Sequence, residues 1–208
     1  MHDENGKGVG RPSHTRLFGL ASEQGGYFTA AQARTCGFSK ALLAHHAKSG
    51  RFIRVRQGLY RFREYPSSPR EDVVAAWLAT GKEVAAVSHD SALDILGLSD
   101  VVPEVVHLTV PRARRYRSRF PGIAIHTTTR RLAKSDVVVR DGVRVTAPAR
   151  AIIDAAQAGT APEQIMAAVG QALDRGMATE SKLLGVAKTR GGRVERLVRQ
   201  VLEERHRK

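Results

Sequence analysis

The sequence predicts an α+β protein built in two parts, and three observations carry the prediction. Within residues 26–63, two short helical segments separated by Gly37 lead into two strands of alternating apolar and basic residues. A Pro/Ser break, Tyr65-Pro66-Ser67-Ser68-Pro69, then interrupts the pattern. Beyond it a few short strand-like segments give way to a helical run that continues to the end of the chain. At 208 residues the chain exceeds one small module and can hold a second core. The parts expected are residues 1–65 and residues 66–208.

In the first part, Thr29 suits the N-cap of a helix over residues 30–36, because its hydroxyl can accept from an otherwise orphaned backbone N–H. Gly37 supplies the stop, Ser39 caps a second helix reaching about residue 49, and Gly50 ends it. Phe52-Ile53-Arg54-Val55-Arg56 and Leu59-Tyr60-Arg61-Phe62-Arg63 then alternate with period two around Gln57-Gly58, which reads as a hairpin. Helix, tight turn, helix and basic hairpin is the layout of a winged helix-turn-helix, whose second helix enters the major groove of DNA. Ahead of it, Gly6-Lys7-Gly8-Val9-Gly10-Arg11-Pro12 is glycine-rich and basic and reads as an arm.

Charge placement supports that layout over a merely solvated face. Residues 1–63 carry eleven Lys and Arg against three acids, and no acid lies between Glu23 and Glu64. A solvated face intersperses signs, whereas a face that meets phosphates excludes carboxylates. If Phe38, Leu42, Leu43, Ala47 and Gly50 face the core, the opposite side of the second helix shows Ser39, Lys40, Ala41, Ala44, His45 and Lys48. Lys40 and Lys48 can reach phosphates or guanine edges, the alanines allow close approach to the groove, and His45 can donate to a base or phosphate. Arg51 follows this helix. Arg54, Arg56, Arg61 and Arg63 are expected to share one face of the hairpin and to meet phosphates or the minor groove.

The net charge of +14 at pH 7 calls for an acidic partner, and double-stranded DNA fits it. No window approaches ~18 uninterrupted apolar residues, so no membrane span is expected. The first thirty residues lack an apolar leader core, and the single cysteine, Cys36, excludes an internal disulfide and a Cys-based zinc finger. A cytoplasmic protein is the expectation.

After the break, residues 70–80 read as an amphipathic helix, 83–87 as a strand, and 88–96 as a helix capped by Ser88. Residues 105–110 and 123–127 read as strands on either side of an arginine-rich loop, and 137–140 pairs with 143–145 across Asp141-Gly142. Thr146 is placed to cap the next helix, and residues 147–158, 162–175, 179–189 and 193–207 read as helices. The second part is therefore expected to be a small, mostly antiparallel sheet followed by a helical tail. Arg150 and Asp154 stand i, i+4 on one helix, which predicts a local ion pair.

Two blocks resemble a known family. Gly50-Arg51-Phe52-Ile53-Arg54-Val55-Arg56-Gln57-Gly58-Leu59-Tyr60 is similar to the N-terminal domain of AbiEi-type antitoxins, and residues 141–154, DGVRVTAPARAIID, resemble that family's strand-turn-strand-helix block. The resemblance spans nearly residues 15–160. It implies that the first domain represses its own operon by binding inverted repeats. It also implies that the second domain antagonises a nucleotidyltransferase-like toxin encoded beside it. The family block often has threonine where Ala151 stands, so no function attaches to that position.

The loop Arg112-Ala113-Arg114-Arg115-Tyr116-Arg117-Ser118-Arg119 carries five arginines, with no acid between Glu104 and Asp136. It fits either DNA or an acidic protein such as the toxin. No catalytic residues, metal ligands or cofactor emerge. Ser88-His89-Asp90 is contiguous, and consecutive helical residues point apart, so no relay forms. Glu180-Ser181-Lys182 sits in a capped helix rather than on a nuclease strand, and none of the eight histidines forms an i, i+4 metal pair. A winged-helix regulator with a sensing domain, or a metal-dependent nuclease, are the alternatives.

Overall fold

The computed structural model describes residues 11–117 and 121–207, with backbone only at 115–117. Part of the glycine-rich arm, Gly6 to Gly10, lies outside the described residues. The chain divides into two compact units, residues 1–79 and 80–208.

The first unit runs α1 (His14–Ser22), β1 (Tyr27–Thr29), α2 (Ala30–Thr35), α3 (Lys40–Lys48), β2 (Phe52–Arg56), β3 (Leu59–Phe62) and α4 (Glu71–Thr80), the last crossing into the second unit by one residue. Its three strands form an antiparallel sheet in the order β1-β3-β2. This is the winged helix-turn-helix expected, with α1 and β1 added. Each helix of the helix-turn-helix starts on its expected hydroxyl: Thr29 Oγ1 accepts from Gln32 N at 3.2 Å, Gln32 Oε1 accepts back from Thr29 N at 2.8 Å, and Ser39 Oγ accepts from Leu42 N at 3.1 Å. The core is aromatic: Phe28, Phe38 and Phe52 are fully buried with Leu17, Ala33 and Leu43, and the Phe28 and Phe52 rings meet edge to face at 5.0 Å. Cys36 is buried among them, as a small apolar residue.

The boundary expected after residue 65 falls inside this unit, because the wing and α4 share contacts. Arg61 Nη2 donates to Glu71 Oε1 and to the carbonyls of Tyr65 and Pro66, and Tyr27 Oη donates to Glu71 Oε2 at 3.3 Å. The Pro/Ser segment is thereby pinned. Tyr65 also folds back to donate to Ser22 O at 3.1 Å, over Gly26 at φ +83°. A Cβ on Gly26 would lie 2.3 Å from the Tyr65 ring, so glycine is required there by space as well as by backbone.

The second unit holds β4 (Ala86–Val87), α5 (His89–Leu96), β5 (Val106–Pro111), β6 (Ile123–Thr128), β7 (Val137–Arg140), β8 (Val143–Thr146), α6 (Pro148–Ala158), α7 (Pro162–Asp174), α8 (Glu180–Lys188) and α9 (Gly192–His206). Its five-stranded sheet has the order β6-β5-β4-β8-β7. The α+β class holds, but the sheet is mixed: β4–β5 and β7–β8 are antiparallel, β4–β8 and β5–β6 parallel. The arginine-rich segment is therefore a crossover between parallel strands, and Arg112–Arg117 forms a 3-10 helix within it. Asp141 (φ +50°) and Gly142 (φ +75°) make the two-residue turn of β7–β8, as their residue types predict. Thr146 belongs to buried β8 and does not cap α6, which begins on Pro148 after Ala147. Leu93, Leu108, Val145, Ile152, Ile153, Ile165, Val169, Leu183 and Val198 fill the core.

Candidate functional site

The second helix of the helix-turn-helix, α3, presents the face its periodicity predicts. Leu43 is buried and Leu42 and Ala47 half-buried, while Ser39, Lys40, Ala41, Ala44, His45 and Lys48 are all exposed. Two small alanines between cationic side chains leave a low, positive surface that a groove floor can approach. Gly50 and Arg51 carry the chain into the wing, where Arg63 N donates to Arg51 O at 3.2 Å and Arg63 Nε donates to Gly50 O. Arg51 and Arg63 are thus exposed side by side, next to the C-terminal end of α3.

The hairpin does not gather its four arginines on one face. Ile53 lies opposite Arg61 and Arg54 opposite Tyr60, so Arg54 and Arg61 point to opposite sides. A bulge between Arg54 and Arg56 shifts the register again, which leaves Arg54 exposed and Arg56 half-buried. Arg61 is 7% exposed, with its guanidinium 5.6 Å from the Tyr27 ring and bonded to Glu71. It is a structural residue of the first unit, and the expectation that it meets DNA is corrected. Period two alone could not reveal this, because the face of Arg61 is covered by a segment beyond the sequence break.

In the crossover of the second unit Arg112 is exposed and Arg114 half-buried. The side chains of Arg115 and Arg117, and Arg119 altogether, lie outside the described residues. A second basic surface lies elsewhere on this unit: an open cleft of about 850 Å³ lined by Arg130, Arg131, Arg150, Lys182 and Arg190, with Asp136 the only acid among its lining residues.

Beside the cleft lies a buried polar cluster. Asp154, 4% exposed, accepts from Arg150 Nε at 2.5 Å and pairs with Arg190 Nη2 at 2.7 Å. The i, i+4 pair expected is present, but burial and the second arginine make it a three-residue clamp between α6 and the turn after α8. Burial pushes the Asp154 carboxyl up from its ordinary value, and the two guanidiniums oppose that shift.

Three histidines that look scattered in the sequence meet next to this clamp. His107 on β5 and His126 on β6 share a sheet face, with His107 Nδ1 2.9 Å from His126 Nε2, and the His89 ring stacks on that of His126 at 3.5 Å. Burial holds all three imidazoles below their ordinary value: His89 to about 2, with His126 and His107 adding to the shift, His126 to about 4, with His107 adding and Asp90 opposing, and His107 by direction, against Asp90. The cluster depends on the parallel pairing of β5 with β6, which residue spacing in the sequence does not supply.

Ser88 and His89 do contact each other, contrary to the expectation from a regular helix. Ser88 is extended, ahead of the first turn, and His89 takes φ +53°, which brings Nδ1 to 2.9 Å from Ser88 Oγ. Thr109 Oγ1 donates to the same Ser88 oxygen at 2.8 Å. Ser88 therefore occupies the N-cap position without capping α5, forgoing a contribution of about 1 kcal/mol. No three-residue relay results, because Asp90 Oδ1 instead accepts from Thr160. Glu180 pairs with His206 at 2.8 Å, in the first turn of a helix capped by Thr179, as its sequence context predicts.

Residues 16–63 match the family described as "Transcriptional regulator, AbiEi antitoxin". Over that span the winged unit is similar to the AbiEi-type regulators. The match runs from within α1 to the end of the wing at Arg63, so the likeness rests on the segment that carries the exposed α3 face. No curated protein matches the chain. Among solved structures, a crystal structure of the RV2827C protein from Mycobacterium tuberculosis is similar, with a TM-score of 0.57 and 16% identity over 93% of this chain and 78% of that one. At that identity the likeness is one of fold. Among the described residues no helix is long and apolar enough to cross a membrane.

Proposed function

We propose that the protein is a DNA-binding antitoxin that represses its own operon. In this reading the AbiEi-type module seats α3 in the major groove of an operator with inverted repeats. Lys40, Ala44 and His45 read base edges, Ser39, Lys48, Arg51, Arg54 and Arg63 hold phosphates, and Arg56 supports the wing tip. The second unit antagonises a nucleotidyltransferase-like toxin encoded alongside, in the cytoplasm, and contributes no catalysis. Arg112 and Arg114, with Arg115, Arg117 and Arg119 of the same segment, are available to DNA or to the toxin.

The observation that carries the reading is the acid-free exposed face of α3 on a winged scaffold, flanked by Arg51, Arg54 and Arg63. A helix with two small residues between cations suits groove insertion, and the exposed arginines of the wing that follows it suit backbone neutralisation. Anisotropy titrations of the full chain on its own promoter test it. Lys40→Ala or His45→Ala should change sequence preference, each base-edge contact discriminating by about 1–3 kcal/mol. Arg54→Glu should weaken binding to all duplexes alike and flatten the log–log salt slope by about 0.9 per phosphate lost. Unchanged preference and unchanged slope together sink the assignment of this face. Co-expression with the neighbouring toxin tests the second half: variants that no longer bind the promoter should still rescue growth.

A further inference from the structure

We infer that His89, His107 and His126 bind one divalent transition metal ion of the zinc class. One donor atom from each ring lies within 4.8 Å of the others. A tetrahedral zinc with Zn–N bonds of about 2.0–2.1 Å keeps its nitrogens roughly 3.4 Å apart. The His107–His126 contact of 2.9 Å need only open slightly, and His89 need only turn off its stack on His126. The donor set is three neutral nitrogens without a carboxylate or thiolate, which suits zinc, cobalt, nickel or copper and not magnesium or calcium.

A simple imidazole–imidazole hydrogen bond would account for His107 and His126 but not for His89. That residue holds a left-handed backbone that non-glycine residues seldom adopt, and such outliers gather at functional sites. The hydroxyl of Ser88 is turned from capping α5 to His89 Nδ1, and Thr109 fixes that hydroxyl in turn. Orienting one ring nitrogen through a hydrogen bond so that the other is free to coordinate is how metal-binding histidines are held. Three protein ligands leave a fourth position for water or a small anion. A cavity of about 230 Å³, lined by His89, His126, Arg150 and Arg190 among others, adjoins the cluster and has room for such a ligand.

The test uses the untagged full-length chain, stripped with a chelator and titrated with Co²⁺ and then Zn²⁺. One equivalent of Co²⁺ should give the visible absorption of a tetrahedral site, and one equivalent of Zn²⁺ should abolish it. His107→Ala combined with His126→Ala should weaken uptake by at least 100-fold, and Ser88→Ala by about 10- to 100-fold. No stoichiometric uptake by the wild type overturns the inference, as does unchanged uptake in a double variant whose circular dichroism matches the wild type. Should the double variant unfold, imidazole ¹H–¹⁵N spectra of the wild type decide. Zn²⁺ should move the signals of His89, His107 and His126, and shifts confined to His45, His46 or His206 overturn the site.

Discussion

Arg61 Nη2 and Glu71 Oε1 lie 2.9 Å apart, and this pair joins the inner strand of the wing to the first turn of α4. An arginine that alternates with apolar residues in a basic hairpin is thereby removed from the solvent face and made part of the scaffold.

Arg61→Ala should lower stability by about 2–3 kcal/mol, less than for a fully buried pair because Glu71 keeps 30% of its side chain in water. The salt slope of DNA binding should stay as in the wild type. Urea denaturation with a parallel anisotropy titration checks both, and a flattened slope with unchanged stability would return Arg61 to the DNA face. For the same reason a fragment of residues 1–79 should be more stable than one ending at residue 65.

Gly26→Ala should destabilise the first unit. The positive φ alone costs about 1–3 kcal/mol in a residue with a Cβ, and that Cβ meets the Tyr65 ring at 2.3 Å. Adding Tyr65→Ala should restore part of the loss by removing the clash, which a double-mutant cycle on midpoints reads directly. Additivity of the two changes would show that the ring does not constrain Gly26.

Asp154→Asn should destabilise the second unit by about 3–5 kcal/mol, since Arg150 and Arg190 would share a buried space without their anion. Replacing Arg150 or Arg190 singly should cost less, because the carboxylate retains one partner. Chemical denaturation curves rank the variants. A neutral Asp154→Asn would mean that the clamp contributes nothing to folding.

Falling pH should weaken the first unit through His14 and His46, whose rings meet edge to face at 5.0 Å. Burial lowers both from the ordinary value of 6.5, with Arg51 adding to the shift on each, and with His14 and His45 also acting on His46. The unfolded chain takes up these protons near pH 6.5, while the folded one does so only at lower pH. Stability is therefore full above about pH 6.5 and declines as pH falls below it. Melting curves at pH 7.5 and 5.5 should show the loss, and His14→Asn with His46→Gln should flatten it.

Local chemistry made much of the first unit legible. Thr29, Ser39, Gly37 and Gly50 mark the helix limits, and period 3.6 assigns the exposed side of α3 without further information. What could not be read from the sequence depended on pairing at a distance. Arg61 changes role because Glu71, beyond a Pro/Ser break, packs on its face, and a bulge at Arg56 defeats simple alternation. In the second unit the sequence marks two strands, β5 and β6, but not their parallel register, and the meeting of His107 with His126 follows from that register.

The two-residue strand β4 sits at the centre of the five-stranded sheet, pairing with β5 on one side and, through Val87 and Val145, with β8 on the other. That sheet cannot close until residues far along the chain have been made, whereas the winged module is assembled from near neighbours. On a translating ribosome the module should be complete and competent for DNA while the rest is still unfolded. Stalled chains ending near residue 110 would then present a protected, protease-resistant N-terminal fragment, the first unit folded while the strands that complete the second sheet are still to be made.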